Sequence, residues 1–298
     1  MQTNDKKRVA IFGSVHSSGI ELQFKQLIDF FQDKNLVVLL DEYMQNFLLA
    51  QLKRSFENVE LIKDDDFKAD LALSIGGDGT FLNTAARIGN KNIPILGINV
   101  GRLGFLADVS KDDVIDTLQG IFENKFTIEE RSLIKVETLD GTRLDSPFAL
   151  NDVALLKQDS SSMIIVNARK RNGELINSYQ ADGLIVSTPT GSTAYSMSVG
   201  GPIVVPQARS FVISPVASHS LNVRPLIIPD DWIIDLEVQS RSNSFLVSMD
   251  GRSKVLEQST KLRLRKADYV IKVLKPLNHT FFDTLRNKLL WGVDKRNW

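Results

Sequence analysis

Cysteine is absent from this 298-residue sequence. That excludes disulfides and thiolate metal sites, and nothing in the chain calls for an oxidising compartment. Histidine is scarce, and His16, His219 and His279 show no metal-ligand spacing among themselves. Net charge is missing as well, since 36 Lys and Arg stand against 36 Asp and Glu. A broad basic footprint for nucleic acid is therefore excluded, leaving room at most for a local patch. No apolar run is long enough to span a bilayer, and the polar stretch Met1–Arg8 carries no signal core. The expectation is a cytoplasmic enzyme or binding protein with no membrane or nucleic-acid partner. Internal repeats, low-complexity linkers, a Walker-type phosphate loop and a Ser-His-Asp ordering are also lacking.

What is present is ordinary in bulk, with 43% apolar and 24% charged residues, and the length accommodates two domains. Up to about residue 125, strand-like and helix-like periods alternate, the pattern of a parallel α/β sheet. Val9–Phe12, Val37–Leu40, Leu71–Ile75 and Ile93–Ile98 read as buried strands. Phe24, Leu27, Ile28 and Phe31 make one helical face, and Val114, Ile115, Leu118, Ile121 and Phe122 another, with Ser110 and Asp113 as a capping box. Beyond residue 126 short alternating runs are joined by Asp140-Gly141, Asn172-Gly173 and Asp250-Gly251, which predicts hairpins. These runs include Met163–Ala168, Leu184–Val186, Trp232–Val238, Phe245–Met249, Lys261–Leu264 and Tyr269–Leu274. The expected fold is a Rossmann-like α/β domain over 1–125, joined by a final helical segment 276–298, and a β-sandwich-like domain over 126–275.

Three stretches carry candidate chemistry. The apolar run Leu71–Ile75 empties into Gly76-Gly77-Asp78-Gly79-Thr80, and Phe81–Arg87 reads as a helix. Such a loop either turns the chain with Asp78 as a helix cap, or holds a phosphate on glycine N–H groups beside one carboxylate. Asp182–Ser196 is a second strand emptying into a loop, this time rich in hydroxyls. It is either a polar surface connection or a grip for ribose and phosphate oxygens, with Tyr195 placed to stack on a base. Asn151-Asp152 interrupts an apolar context and needs partners, whether a strand-end turn or a ligand's hydroxyls, because unpaired burial costs roughly 1–3 kcal/mol per group. Arg102, in the glycine-punctuated stretch Gly97–Leu106, reads either as a bidentate phosphate donor or as a surface side chain beside a turn.

Taken together, the chain resembles the bacterial type of the NAD kinase family. The match is carried by Gly76–Thr80, Asn99–Leu106, Asn151-Asp152, Asp182–Ser198, Gly200-Gly201-Pro202, His219-Ser220-Leu221 and Arg224-Pro225, in the family's order. The first motif is shared with diacylglycerol, sphingosine and 6-phosphofructo-kinases, whereas the Asp182–Ser198 block is far more specific. The resemblance implies an α/β domain, a β-rich domain and a site in the cleft between them. It implies transfer of the γ-phosphoryl of ATP to the 2′-hydroxyl of NAD's adenosine ribose, with a divalent metal such as Mg2+, in a homodimer or homotetramer whose sites are partly built by an adjoining subunit. It makes Asp78 the catalytic base, with Gly76, Gly77, Gly79 and Thr80 shaping the phosphate loop. It places Asp78, Gly79, Leu82, Asn151, Asp152, Gln180, Asp182, Thr190, Thr193, Ala194, Tyr195, Ser196, Met197 and Ser198 against NAD, and Ala217, Asp250 and Gly251 near by. Two positions depart from the family: Asp152 stands where many members have Glu, and Gln180 where several have Arg. A lipid kinase and a non-catalytic NAD(P) sensor are the competing readings. The Asp182–Ser198 block has no evident use for an acyl chain, and the retained Asp78 speaks against a sensor.

Overall fold

The computed structural model describes residues 6–13, 20–52, 57–101, 104–158, 163–277 and 279–291. The first elements are β1 (Arg8–Gly13), α1 (Ile20–Asp33), β2 (Val37–Asp41), α2 (Glu42–Leu52), β3 (Val59–Ile62), β4 (Leu71–Gly76), α3 (Asp78–Ile88), β5 (Ile95–Asn99), β6 (Val109–Ser110), α4 (Val114–Phe122) and β7 (Phe126–Arg131). Then follow β8 (Ile134–Thr138), β9 (Phe148–Ala149), β10 (Asp152–Lys157), β11 (Ile164–Lys170), β12 (Leu175–Ala181), β13 (Gly183–Ser187), a 3-10 turn over Thr190–Thr193 and α5 (Tyr195–Ser198). The rest are β14 (Ser210–Val216), β15 (Leu226–Pro229), β16 (Ile234–Ser240), β17 (Ser244–Met249), β18 (Arg252–Glu257), β19 (Leu262–Lys266), β20 (Ile271–Pro276) and α6 (Phe281–Leu289).

The chain forms two compact units, residues 1–130 with 271–298, and residues 131–270. In the first, the described strands form one sheet in the order β3-β2-β1-β4-β5-β20-β7, with β6 against β5. Strands β1 to β5 pair in parallel. β1, β2, β4 and β5 are continuous apolar runs because helices cover both faces of such a sheet. The Phe24, Leu27, Ile28 and Phe31 face of α1 is fully buried. β2 runs straight into α2, where the Asp41 carboxylate accepts the Met44 N–H at 2.8 Å. The Ser110–Asp113 capping box does not form. Ser110 is still in β6, its hydroxyl accepts the Asp112 N–H at 3.3 Å, and Asp113 caps α4 without a side-chain bond.

The second unit packs two described six-stranded antiparallel sheets, β15-β14-β13-β10-β17-β18 and β12-β11-β16-β19-β8-β9. Their inner faces share one core that includes Val153, Val166, Val186, Phe211, Leu236, Phe245 and Leu264. Burial alternates along β16 and β17, as expected for strands with one solvated face. Asn172-Gly173 and Asp250-Gly251 close the hairpins β11–β12 and β17–β18. Asp140-Gly141 instead opens a longer excursion before β9 returns to pair with β8. Tyr269–Leu274, grouped with the hairpin strands by its alternation, forms β20, which pairs in parallel with β5 in the first unit's sheet.

Candidate active site

In the first unit, β1 and β4 lie side by side where the strand order reverses, the usual ligand position in open α/β sheets. β4 delivers buried Gly76 against Thr80, and the chain turns at Gly77 into α3. The helix begins at Asp78 rather than Phe81. The cap position is Gly77, which makes no side-chain cap bond, so Asp78 is not the cap. Gly77 and Gly79 are exposed and face open space. The first N–H groups of a helix have no intrahelical partner, so this corner suits a phosphate. Leu82, one turn on, is half-buried.

The Asp78 carboxylate is held by the chain after β5. Its Oδ1 accepts the N–H groups of Leu106 at 2.9 Å and Ala107 at 3.1 Å, and its Oδ2 accepts that of Phe105 at 2.9 Å. Lys288 Nζ lies 3.3 Å from the same Oδ2. A Cβ at position 104 would sit 2.1 Å from Asp78 Oδ1, so only glycine lets this segment close on the carboxylate. Asp78 nevertheless keeps 30% of its side chain exposed.

The second unit holds a similar arrangement where the chain crosses from β9 in one sheet to β10 in the other. The crossing leaves the N–H groups of Leu150, Asn151 and Asp152 facing the β17–β18 hairpin, and Asp250 accepts all three at 2.7, 2.8 and 3.1 Å. The Leu150 and Asn151 carbonyls are taken by the hydroxyl and N–H of Thr188 at 2.5 and 2.9 Å. The hydroxyl-rich loop packs directly on the crossing, and a Cβ at Gly191 would lie 2.0 Å from the Asn151 carbonyl oxygen. Asn151 Oδ1 is buried there with no hydrogen-bond partner. Burial, then the charge of Asp250, pushes the Asp152 carboxyl up to about 7, against one N–H bond from Tyr195. Burial also raises Asp250, but its three backbone donors and Arg252 oppose this, so the proton belongs on Asp152.

Comparisons with known proteins bear on both halves. Residues 11–126 match the family model described as the ATP-NAD kinase N-terminal domain, and residues 150–275 the ATP-NAD kinase C-terminal domain. The NAD kinase of Bacteroides fragilis is 49% identical over 289 residues, covering 97% of this chain and 99% of that protein. The NAD kinase of Flavobacterium johnsoniae is 42% identical, covering 97% and 100%. The chain belongs to the NAD kinase family. Two solved structures share its fold at 23% identity. Yeast NADH kinase complexed with NADH has a TM-score of 0.87, covering 98% of this chain and 90% of that one. The NAD kinase of Archaeoglobus fulgidus in complex with ATP has a TM-score of 0.72, covering 95% and 98%.

Within this member of the NAD kinase family, the residues expected against NAD in the second unit fall into two groups. Asn151, Asp152, Thr190, Thr193, Ala194, Tyr195, Asp250 and Gly251 gather at the Ser187 end of β13, because Asp152 pairs with Ser187. Gln180, Asp182 and Ala217 lie at its Gly183 end, where the Asp182 N–H bonds the Val216 carbonyl. Four residues of strand separate the groups, roughly 14 Å at ~3.4 Å each. Asp182 pairs with Lys157 at 2.7 Å, Gln180 and Ala217 are exposed, and Ala217 has φ +46°. In α5, Ser196 is fully buried and its hydroxyl lies 3.1 Å from that of Ser214, so this side chain serves the interior. Met197 is half-buried, whereas Tyr195 and Ser198 are exposed. Arg102 and His16 lie outside the described residues.

Among the described residues no three His, Cys, Asp or Glu side chains gather as metal ligands. The lone carboxylate of the glycine loop already has both oxygens engaged. This donor set does not fit a protein-built metal cage. The sequence reading missed Phe105, Leu106 and Ala107 as partners of Asp78, because backbone donors carry no side-chain signature; the glycine at 104 was the available signal. It also missed Lys288, which reaches Asp78 from a helix more than two hundred residues away in sequence.

Proposed function

We propose that this chain transfers the γ-phosphoryl group of ATP to the 2′-hydroxyl of the adenosine ribose of NAD, giving NADP and ADP, with Asp78 as general base. The observation that carries the assignment of the base is the grip on Asp78. Three backbone donors fix its orientation beside the open backbone of Gly77 and Gly79, while part of the carboxylate stays accessible. In the step, the hydroxyl proton passes to Asp78 and the ribose oxygen bonds to the γ-phosphorus. The bond from that phosphorus to the β–γ bridging oxygen breaks, and its electron pair leaves with ADP. Phosphoryl transfer asks mainly for positioning and charge stabilisation, and a placed base adds roughly 10²–10⁴ in rate.

NAD is held by the second unit in this reading. The unpartnered Asn151 Oδ1 accepts a ribose hydroxyl, the proton on Asp152 donates to one, and the exposed Tyr195 ring takes a base. A divalent ion, where used, arrives on the phosphates of ATP, as Mg2+ commonly does. The separation of Asp182, Gln180 and Ala217 from the Asn151 group supports a homo-oligomer in which the former complete the site of a neighbouring copy. No described helix is long and apolar enough to cross a membrane; the place of action we propose is the cytoplasm.

The test is Asp78→Asn in a coupled assay with ATP and NAD. NADP formation falls at least a hundredfold while the melting temperature stays within a few degrees; near-parent turnover removes Asp78 from the role of base. Calorimetric NAD binding by the parent protein without any ATP-dependent product would favour the sensor reading instead.

A further inference from the structure

The carboxylate of Asp78 is almost fully subscribed. An ionised carboxylate offers about four acceptor positions. Leu106 and Ala107 take two on Oδ1, and Phe105 takes one on Oδ2. The Lys288 ammonium stands at the remaining Oδ2 position, 3.3 Å away. The three backbone bonds belong to a buried segment of the fold, with Phe105, Leu106 and Ala107 all 9% exposed or less. Lys288 is different: its side chain is 30% exposed and sits on a flexible stem. A hydroxyl that hands its proton to Asp78 needs a free acceptor position, and the exchangeable one is occupied by Lys288.

The fold places Lys288 there with care. Phe281, Thr284, Leu285 and Lys288 fall at i, i+3, i+4 and i+7, one face of α6. The helix start is fixed by a capping box, in which Thr280 Oγ1 accepts the Asp283 N–H and Asp283 accepts the Thr280 N–H. The same face is anchored to the segment that grips Asp78. Asp108, buried directly after that segment, pairs with Lys275 and lies 3.2 Å from His279 Nδ1 and 3.5 Å from the Thr284 hydroxyl. The Phe105 ring packs against that of Phe281, tilted with centroids 6.3 Å apart, and the Lys288 ammonium sits 4.5 Å from the Phe105 ring centroid. One segment, 105–108, thus orients both the base and the helix that brings the cation to it. Arg286, on the same turn, is turned away to Asp283.

We propose that Lys288 is a positioning residue for phosphoryl transfer, the exchangeable partner of Asp78. It holds the acceptor position on Oδ2 until the ribose hydroxyl takes it, and the displaced ammonium then faces the anionic phosphoryl group beside Asp78. The proposal rests on the reading of Asp78 as the base. It adds no covalent step. The proton still moves from hydroxyl to carboxylate, while Lys288 keeps its charge and controls access to the oxygen that receives the proton.

The experiment compares Lys288→Met, Lys288→Arg and Asp78→Asn with the parent, each checked for melting temperature, and measures kcat and KM separately for NAD and ATP. Removing the competitor lowers or leaves unchanged the KM for NAD, while loss of the cation lowers kcat tenfold or more in Lys288→Met. Lys288→Arg keeps the charge and recovers kcat to within about fivefold of the parent. The proposal is overturned if Lys288→Met keeps kcat within twofold, or if Lys288→Arg is as impaired as Lys288→Met. Should Lys288→Met fail to fold, reductive methylation of the parent read at Lys288 by mass spectrometry decides the matter. Labelling that changes at least threefold on adding ADP with NAD supports exchange, and unchanged labelling refutes it. An inactive Asp78→Asn beside a parent-like Lys288→Met removes this inference alone, whereas a fully active Asp78→Asn removes the base assignment beneath it.

Discussion

Asp78 in the first unit and Asp250 in the second use the same device to different ends. Each carboxylate accepts three consecutive backbone N–H groups, those of residues 105–107 and of 150–152. The difference is exposure: the Asp78 side chain is 30% accessible and that of Asp250 only 3%. Asp78 keeps contact with solvent and with an exchangeable lysine. Asp250 is sealed in, and its charge acts on its neighbour, helping to keep a proton on Asp152. A backbone nest around a carboxylate therefore does not reveal its role; what else can reach the oxygens does.

The sharpest way to break this comparison is to remove each carboxylate and measure stability. Asp250→Ala leaves three buried N–H groups without acceptors and lowers unfolding free energy by about 3–5 kcal/mol in denaturant titration. Asp78→Asn, whose amide oxygen still accepts the Leu106 and Ala107 N–H groups, loses less than about 2 kcal/mol. Equal losses at both positions would erase the distinction.

A smaller effect tests the neighbour. The folded Asp152 value, about 7, lies above its ordinary 3.8. Between these values the unfolded chain gives up its proton and the folded chain keeps it, so stability falls as pH rises through that window. Asp152→Asn removes the penalty and gains up to about 4 kcal/mol at pH 8, with no gain below pH 4, in melts across that range. The smallest effect concerns His279. Its proximity to Asp108 raises its value above 6.5, although the approach is not aligned as a hydrogen bond and burial opposes the shift. Burial works against the charge on Asp108 too, but Lys275 and His279 hold its carboxyl below the usual range. The His279 contribution is therefore complete below pH 6.5 and lost as pH rises through its raised folded value. His279→Gln should flatten the melting profile above neutrality by less than about 1 kcal/mol.

Much of the fold was legible because the relevant signals were carried by side chains. The central strands announce themselves as apolar runs, and Gly76–Thr80 as a loop between strand and helix. β3 was not legible, since an edge strand with Glu60 and Leu61 exposed lacks the buried pattern. α2 was missed because its start depends on Asp41 capping a helix with little amphipathic contrast. β20 alternates like a hairpin strand but pairs in parallel with β5, and alternation says nothing about partners. At the site, Asn151 and Asp152 were visible as polar interruptions. Their cause, a change of sheet that orphans three N–H groups, lies in topology. The same holds for the donors on Asp78 and for Lys288, which are assembled from segments remote in sequence.

The place of β20 between β5 and β7 has a consequence for biosynthesis. Residues 131–270 form an uninterrupted stretch that can acquire its sandwich while still emerging from the ribosome. The sheet begun by residue 8 must wait for residues 271–276, holding an unfilled slot beside β5 until that strand has been made. A polypeptide stalled before residue 271 would leave the slot between β5 and β7 unfilled, an exposed sheet edge of the kind that promotes aggregation.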